Sequence, residues 1–332
     1  MKIVVTGVTG FLGGHLASAL VDDGHTVVGT GRDRKRAELA RKRGASVLLG
    51  DIAEKEFVCE AIAGAEAVVH AAALSAPWGS RQAFLTANVT GTENVVEACR
   101  RYLVQRVVHV SSPSVTFAGQ DVFQQTEQAP YPRRYLSFYS QSKKMAEDVV
   151  NHAIRAGLPA TIVRPKAIFG PGDTTLLPRL IAAARAKRLV QVGTGTNLVD
   201  LTHVANVVRS IVLVLKTEYA VGQTYTITND ESSNLWSVIR LAVSEILAGA
   251  NLRRVPYRAA FLAATAYEAR AALTRREPFL TRYSVAILGR NQTYDISALK
   301  RDTGYTPGIS IKEGLRQTIA AFKAEDSSDD GN

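Results

Sequence analysis

Residues 1–24 read MKIVVTGVTGFLGGHLASALVDDG, and this opening constrains the fold more than any other stretch. The run KIVVT has the pattern of a buried strand, and 11–23 that of an amphipathic helix. Gly7, Gly10 and Gly13 stand at their junction. Without a Cβ, glycine lets the chain turn sharply and lets another group approach its backbone. The first turn of the helix then offers unpaired N–H groups and the positive end of its dipole. A diphosphate fits such a cradle, held through the backbone of Gly7, Gly10, Phe11, Leu12 and Gly13. A tight turn with no ligand is the plainer explanation, and the place at the first strand–helix junction weighs against it.

The same alternation continues. TVVGT (26–30), SVLLG (46–50), AVVHA (67–71), RVVHV (106–110) and ATIVR (160–164) read as further strands, with helical patterns at 34–43, 54–63, 81–101 and 139–156. Apolar strands alternating with helices predict a parallel sheet covered on both faces, an α/β doubly wound Rossmann architecture. After residue 165 the texture becomes mixed, with helix or strand patterns at 202–216, 223–228, 234–248, 257–273 and 310–324. We expect a dinucleotide-binding domain over 1–165, also receiving segments near 196–230. A smaller C-terminal substrate lobe is expected over 166–324 and a disordered acidic tail over 325–332.

Composition excludes several classes. None of the apolar runs reaches the ~18–20 residues of a membrane span. The first strand begins at Lys2, so no signal peptide is expected. Two cysteines, Cys59 and Cys99, make no disulfide framework, and the six histidines form no ligand cluster, so no metal is expected. These features predict a cytoplasmic protein. The net charge of +10 is uneven: residues 253–301 hold ten Lys or Arg against Glu268, Glu277 and Asp295. Such a stretch favours anionic partners, an acyl carrier or a membrane surface, with peripheral membrane association as its consequence. Nucleic acid is not expected, because no binding module accompanies the charge.

The end of the second strand discriminates between cofactors. An acid there would serve a free adenosine ribose. The chain has Gly31-Arg32 instead, followed by Arg34, Lys35 and Arg36. A guanidinium suits a 2′-phosphate, so NADP(H) is favoured, while Asp33 keeps NAD(H) open. Asp51 and Ile52 of GDI, and Ala71, Ala72 and Ala73 of HAAA, end the next strands where adenine and ribose would lie.

Tyr139 and Lys143 are four residues apart and therefore share a helix face. Alone, the pair is an ordinary aromatic–lysine contact. Its company changes the reading: TGVTGFLG, GDI, HAAA, NVTGT (88–92), VSSPSV (110–115), YSQSK (139–143) and RPKAIFGPGD (164–173) follow in order. In this the chain resembles the extended short-chain dehydrogenases/reductases over most of its length. APWGS (76–80), LLPRL (176–180), GTGTNLVDLTHVANV (193–207) and EPFLTRY (277–283) resemble the 3β-hydroxysteroid dehydrogenase-like branch, in particular bacterial reductases of 2-alkyl-3-oxoalkanoates.

The resemblance implies Tyr139 as general acid/base, Lys143 as its tuning charge and ribose ligand, and Ser112 as the group that orients the reacting oxygen. Ser111 and Ser114 remain alternatives for the serine. Physically, an ammonium near a phenol favours phenolate and lowers its pKa from ~10. Pro165 is expected at the cofactor, and Trp78, Ser114 and Phe169 at the substrate. Asn88 is expected to position backbone, and Asp200 to cap a helix near His203. The expected activity interconverts a ketone and a secondary alcohol on a lipid-like molecule, with 257–273 either contacting it, packing as core or docking on a membrane. A nucleotide-sugar epimerase is the alternative. A dehydratase is disfavoured because Pro113-Ser114 replace the Asp-Glu pair of that family. A non-enzymatic NADP sensor is disfavoured by the intact Tyr–Lys pair. Relatives imply a homodimer.

Overall fold

Valine and isoleucine recur on both faces of these strands and most strand residues are buried, so the strands form a middle layer. The computed structural model describes residues 1–247, 252–274 and 276–329. In it β1 (Lys2–Thr6), β2 (Thr26–Gly31), β3 (Ser46–Leu49), β4 (Ala67–His70), β5 (Arg106–Val110), β6 (Ala160–Pro165) and β7 (Thr224–Ile227) form one sheet. Their order is β7-β6-β5-β4-β1-β2-β3, and every pairing is parallel. The order reverses direction between β1 and β4, and a doubly wound sheet opens its ligand crevice at that point, beyond the strands' carboxyl ends.

Helices cover both faces: α1 (Phe11–Asp22), α2 (Arg34–Lys42), α3 (Lys55–Ile62), α4 (Gly91–Arg101), α5 (Phe138–Arg155) and α6 (Val204–Lys216). Alternate residues of β1 divide between them. Ile3 and Val5 pack with Leu16, Leu20, Val207 and Ile211. Val4 packs with Val58, Val95, Val150 and Ile162 on the opposite side.

The stretch expected as one helix over 81–101 is interrupted. A π turn occupies Leu85–Thr90 between helix Arg81–Phe84 and α4. Asn88 lies within it and turns inward, where its Oδ1 accepts from the Leu74 amide at 2.7 Å and its Nδ2 donates to Ser142 Oγ at 2.9 Å. Insertions of this kind redirect a side chain that regular helix geometry would place elsewhere.

A second sheet joins Ser232–Asn234, Leu198–Asp200, Gln292–Tyr294 and Val122–Gln125 in that order. Since Val122–Gln125 precedes residue 165, the first half of the chain contributes to this sheet too. Beside it lie α7 (Tyr257–Thr274), α8 (Arg282–Gly289) and α9 (Ile311–Asp329). Trp236, Ile239, Ile181 and Val285 form a separate core there. The acidic tail expected to be disordered from 325 continues as helix to Asp329, with Asp326 paired to Arg185. Residues 330–332 lie outside the described part, as does Arg275 of the basic stretch. The cap expected of Asp200 belongs instead to His203, whose Nδ1 accepts from the Ala205 amide. Asp200 sits in a strand and accepts from the Tyr294 amide at 2.7 Å and Ser232 Oγ at 2.6 Å.

Candidate active site

The glycine loop joins the carboxyl end of β1 to α1. Gly7 has φ of +77°, and a Cβ there would stand 2.8 Å from the Ala72 backbone. A Cβ on Gly13 would meet the Gly7 carbonyl oxygen at 2.1 Å. Helix packing against the loop therefore requires both glycines. The amides of Gly7 and Val8 donate to Thr30 O, and the loop is thereby tied to β2. Gly10 caps α1 without a side-chain bond, so no side chain occupies the anion-binding end of that helix. The residues present fit a diphosphate.

Beyond β2, Arg32 is exposed and its Nη1 donates to Asp51 at 3.1 Å. Asp33 accepts from the Arg36 amide at 3.0 Å and is thus engaged as the cap of α2. Arg36 reaches back to the Thr9 carbonyl at 3.3 Å. Arg36 thus reaches the loop, Arg32 is paired with Asp51, and Asp33 has one carboxylate oxygen on the Arg36 amide. Asp51 also receives the Ala53 amide, and the Ile52 carbonyl receives Asn94 Nδ2. Ala71 and Ala72 border Gly7, and Pro165 ends β6.

Tyr139, Lys143 and Glu147 follow at four-residue intervals on α5, whose first turn is capped by Ser137. The Tyr139 hydroxyl neighbours those of Ser112 and Ser75, and its ring lies 6.5 Å from that of Phe84. Ser112 follows β5, and its Oγ accepts from the Ser114 amide at 3.2 Å. Burial raises the Tyr139 pKa, and the two serine hydroxyls oppose that rise. From sequence, Lys143 is expected to lower it. In the structure burial outweighs the serine hydroxyls, and the phenol stays protonated at neutral pH. Lys143 Nζ donates to the Val110 carbonyl at 2.6 Å. Burial lowers its pKa to about 8, with Glu147 acting in the other direction.

The surroundings of Lys143 are neutral on one side and paired on the other. Thr92 Oγ1 donates to the Asn88 carbonyl at 2.6 Å, so it accepts from His70 Nε2 at 3.0 Å. His70 Nδ1 then accepts from Thr6 Oγ1 at 2.7 Å. Burial, helped by Lys143, pushes the His70 pKa down to about 3. His109, with its ring 5.3 Å away, is likewise held neutral by burial. On the other side Glu147 accepts from Arg164 Nε at 2.8 Å and Nη2 at 2.7 Å, and from the Tyr131 hydroxyl at 2.6 Å. Glu147 and Arg164 are both buried.

Of the residues expected at the substrate, Trp78 lies partly exposed in the loop that carries Ser75. Ser114 is buried beside the Tyr283 hydroxyl. Phe169 is core instead: it packs with Val199, Leu201 and Ile311 and stands edge-on to His203 at 5.5 Å. Ser75 and Tyr283 escaped sequence reasoning because no spacing relates them to Tyr139. Glu147 escaped it too, although its place one turn after Lys143 on the same face was a signal.

Residues 3–228 match the NAD dependent epimerase/dehydratase family, and the chain belongs to that family. It is an enzyme of the NAD(P)-dependent dehydrogenase/reductase type. It is 36% identical to a 2-alkyl-3-oxoalkanoate reductase of Stenotrophomonas maltophilia, over 98% of this chain and 100% of that one. It is 33% identical to 3beta-hydroxysteroid-dehydrogenase/decarboxylase isoform 1 of Arabidopsis thaliana, over 96% of this chain and 79% of that one. A crystal structure of UDP-glucuronic acid 4-epimerase from Bacillus cereus in complex with NAD shares the fold. Its TM-score is 0.77 at 22% identity, covering 98% of this chain and 99% of that one.

Glu147→Gln would leave the Arg164 guanidinium buried without its counter-charge. Chemical denaturation should show a loss of about 3–5 kcal/mol. A loss within about 0.5 kcal/mol, typical of surface substitutions, would contradict the pair's role.

Proposed function

We propose that this enzyme is an NADP(H)-dependent ketoreductase that interconverts a ketone and a secondary alcohol on a lipid-like substrate of 3-oxoacid or steroid type. The observation that carries this is the meeting of the Tyr139 and Ser112 hydroxyls above buried Lys143, at the sheet edge that also bears the glycine loop. The names of the two relatives support the substrate class.

When bound, the nicotinamide cofactor supplies or accepts the hydride. Gly7, Gly10, Phe11, Leu12 and Gly13 would hold its diphosphate, Arg32 its 2′-phosphate, and Asp51, Ile52 and Ala71–Ala73 its adenosine side. Lys143 and Pro165 would border the nicotinamide half. Tyr139 delivers its proton to the developing alkoxide, and Ser112 donates a hydrogen bond to the same oxygen. The Lys143 ammonium stabilises the phenolate this leaves behind. Residues 1–165 serve chiefly the cofactor and 166–324 chiefly the substrate. The enzyme works in the cytoplasm as a homodimer.

NADPH oxidation, followed by absorbance, should be seen with a β-keto acid or a ketosteroid. Tyr139→Phe should lower turnover by about a hundredfold or more while leaving cofactor affinity within about twofold. Surviving turnover would mean a different proton donor. If every ketone is refused although NADPH binds, the epimerase takes the reductase's place.

Arg32→Ala should weaken NADPH binding by about tenfold or more and leave NADH binding unchanged, as measured by fluorescence titration. Equal losses for the two cofactors would remove the 2′-phosphate contact.

A further inference from the structure

Helix α7 carries two leucines on its solvent side. Its buried residues are Ala260, Ala264, Glu268 and Ala271, with Tyr257 and Phe261 packed half-buried against the core, whereas Leu262 and Leu273 are 71% and 87% exposed. Leu262, Ala266, Ala269 and Leu273 succeed one another at four, three and four residues, one continuous outward stripe. A helix that stays in water places its leucines against the core and its charges outside.

The charges beside this stripe have one sign. Arg258 and Arg270 are exposed on α7, and Arg253, Arg254 and Arg276 are exposed next to it in sequence. Glu268, the helix's one acid, faces inward, where it accepts from the Arg282 amide at 2.7 Å and Arg282 Nε at 2.6 Å. Glu277 is the one exposed acid among the described residues of 253–282. Toward the C-terminal end, exposed Tyr267 and Phe279 meet edge to face with ring centres 6.1 Å apart, and the Arg188 guanidinium lies 5.7 Å from the Phe279 ring centre.

We infer that α7 lies flat on an anionic lipid surface, with Leu262 and Leu273 entering the acyl boundary. The arginines meet the headgroups there, and Tyr267 and Phe279 occupy the interfacial layer where aromatic rings are favoured. A second copy of the chain fits this face poorly, because two-fold pairing would set arginine against arginine. Among the described residues no helix is long and apolar enough to cross a membrane, so the contact is peripheral. Helix α7 packs on α8, whose Tyr283 stands next to Ser114 near Tyr139. Docking therefore brings the site close to the layer in which a lipid-like ketone dissolves. That last consequence rests on the proposed function; the docking does not.

Co-sedimentation of the full chain with vesicles tests it. The wild type should bind vesicles of phosphatidylcholine containing a minority of phosphatidylglycerol, and should release them as salt is raised. Binding to phosphatidylcholine alone should be about tenfold weaker or less. Leu262→Asp with Leu273→Asp should lower binding by about tenfold or more, and so should Arg258→Gln with Arg270→Gln. Both pairs should retain turnover of a water-soluble ketone, since none of the four residues belongs to the site. Unchanged binding in either pair, equal binding to neutral vesicles, or a dimer that the aspartates dissociate would overturn the inference. Failure of turnover with intact vesicle binding would instead count against the ketoreductase alone.

Discussion

An ammonium group buried between a sheet and a helix is expensive to keep charged, and the site is organised around Lys143 in that position. Its Nζ has the Val110 carbonyl at 2.6 Å. Two histidines face it from β4 and β5, and a second positive charge there would be intolerable. Burial holds His70, bonded to Thr6 and Thr92, and His109 beside it neutral. One turn further along α5 lies buried Glu147, whose charge is shared with Arg164 from β6. Burial lowers the Lys143 pKa to about 8, still high enough to leave the group charged at neutral pH.

The same geometry links the Lys143 surroundings to the glycine loop. Thr6 ends β1, accepts from the Ala72 amide at 3.1 Å, and holds His70. Gly7 follows it immediately and leaves just enough room for the Ala72 backbone. A single stretch, Thr6–Gly7, therefore sets both the glycine loop and the polar layer below Lys143. Asn88 does a related service from the π turn, bonding Leu74 and Ser142 and so fixing the loop that carries Ser75 against α5.

Much of this was legible in the sequence. β-Branched runs separated by helical patterns specify a parallel sheet, and six of its seven strands were visible in that way. The glycine spacing and the Tyr139–Lys143 interval were equally plain. What stayed hidden depends on contacts between distant segments. Ser75 and Tyr283 reach the Tyr139 neighbourhood from loops and helices that no local pattern relates. Phe169 looked like a pocket residue because it follows β6, yet its neighbours from 199–201 and 311 enclose it. Asp200 resembled a helix cap by position but lies in a strand, where backbone and serine donors claim its carboxylate. The π turn cannot be read from residues that are good helix formers on either side of it. Nor does composition say which way the leucines of α7 point.

The dependence of ketone turnover on pH tests most directly whether the charge on Lys143 sustains the chemistry. The group is charged below its pKa of about 8 and loses its proton above it, so turnover should fall as pH rises through that region. In Glu147→Gln the fall should begin at lower pH, because Arg164 then repels Lys143 without compensation. A profile that stays flat to about pH 10, or one that Glu147→Gln leaves in place, would contradict the role given to Lys143.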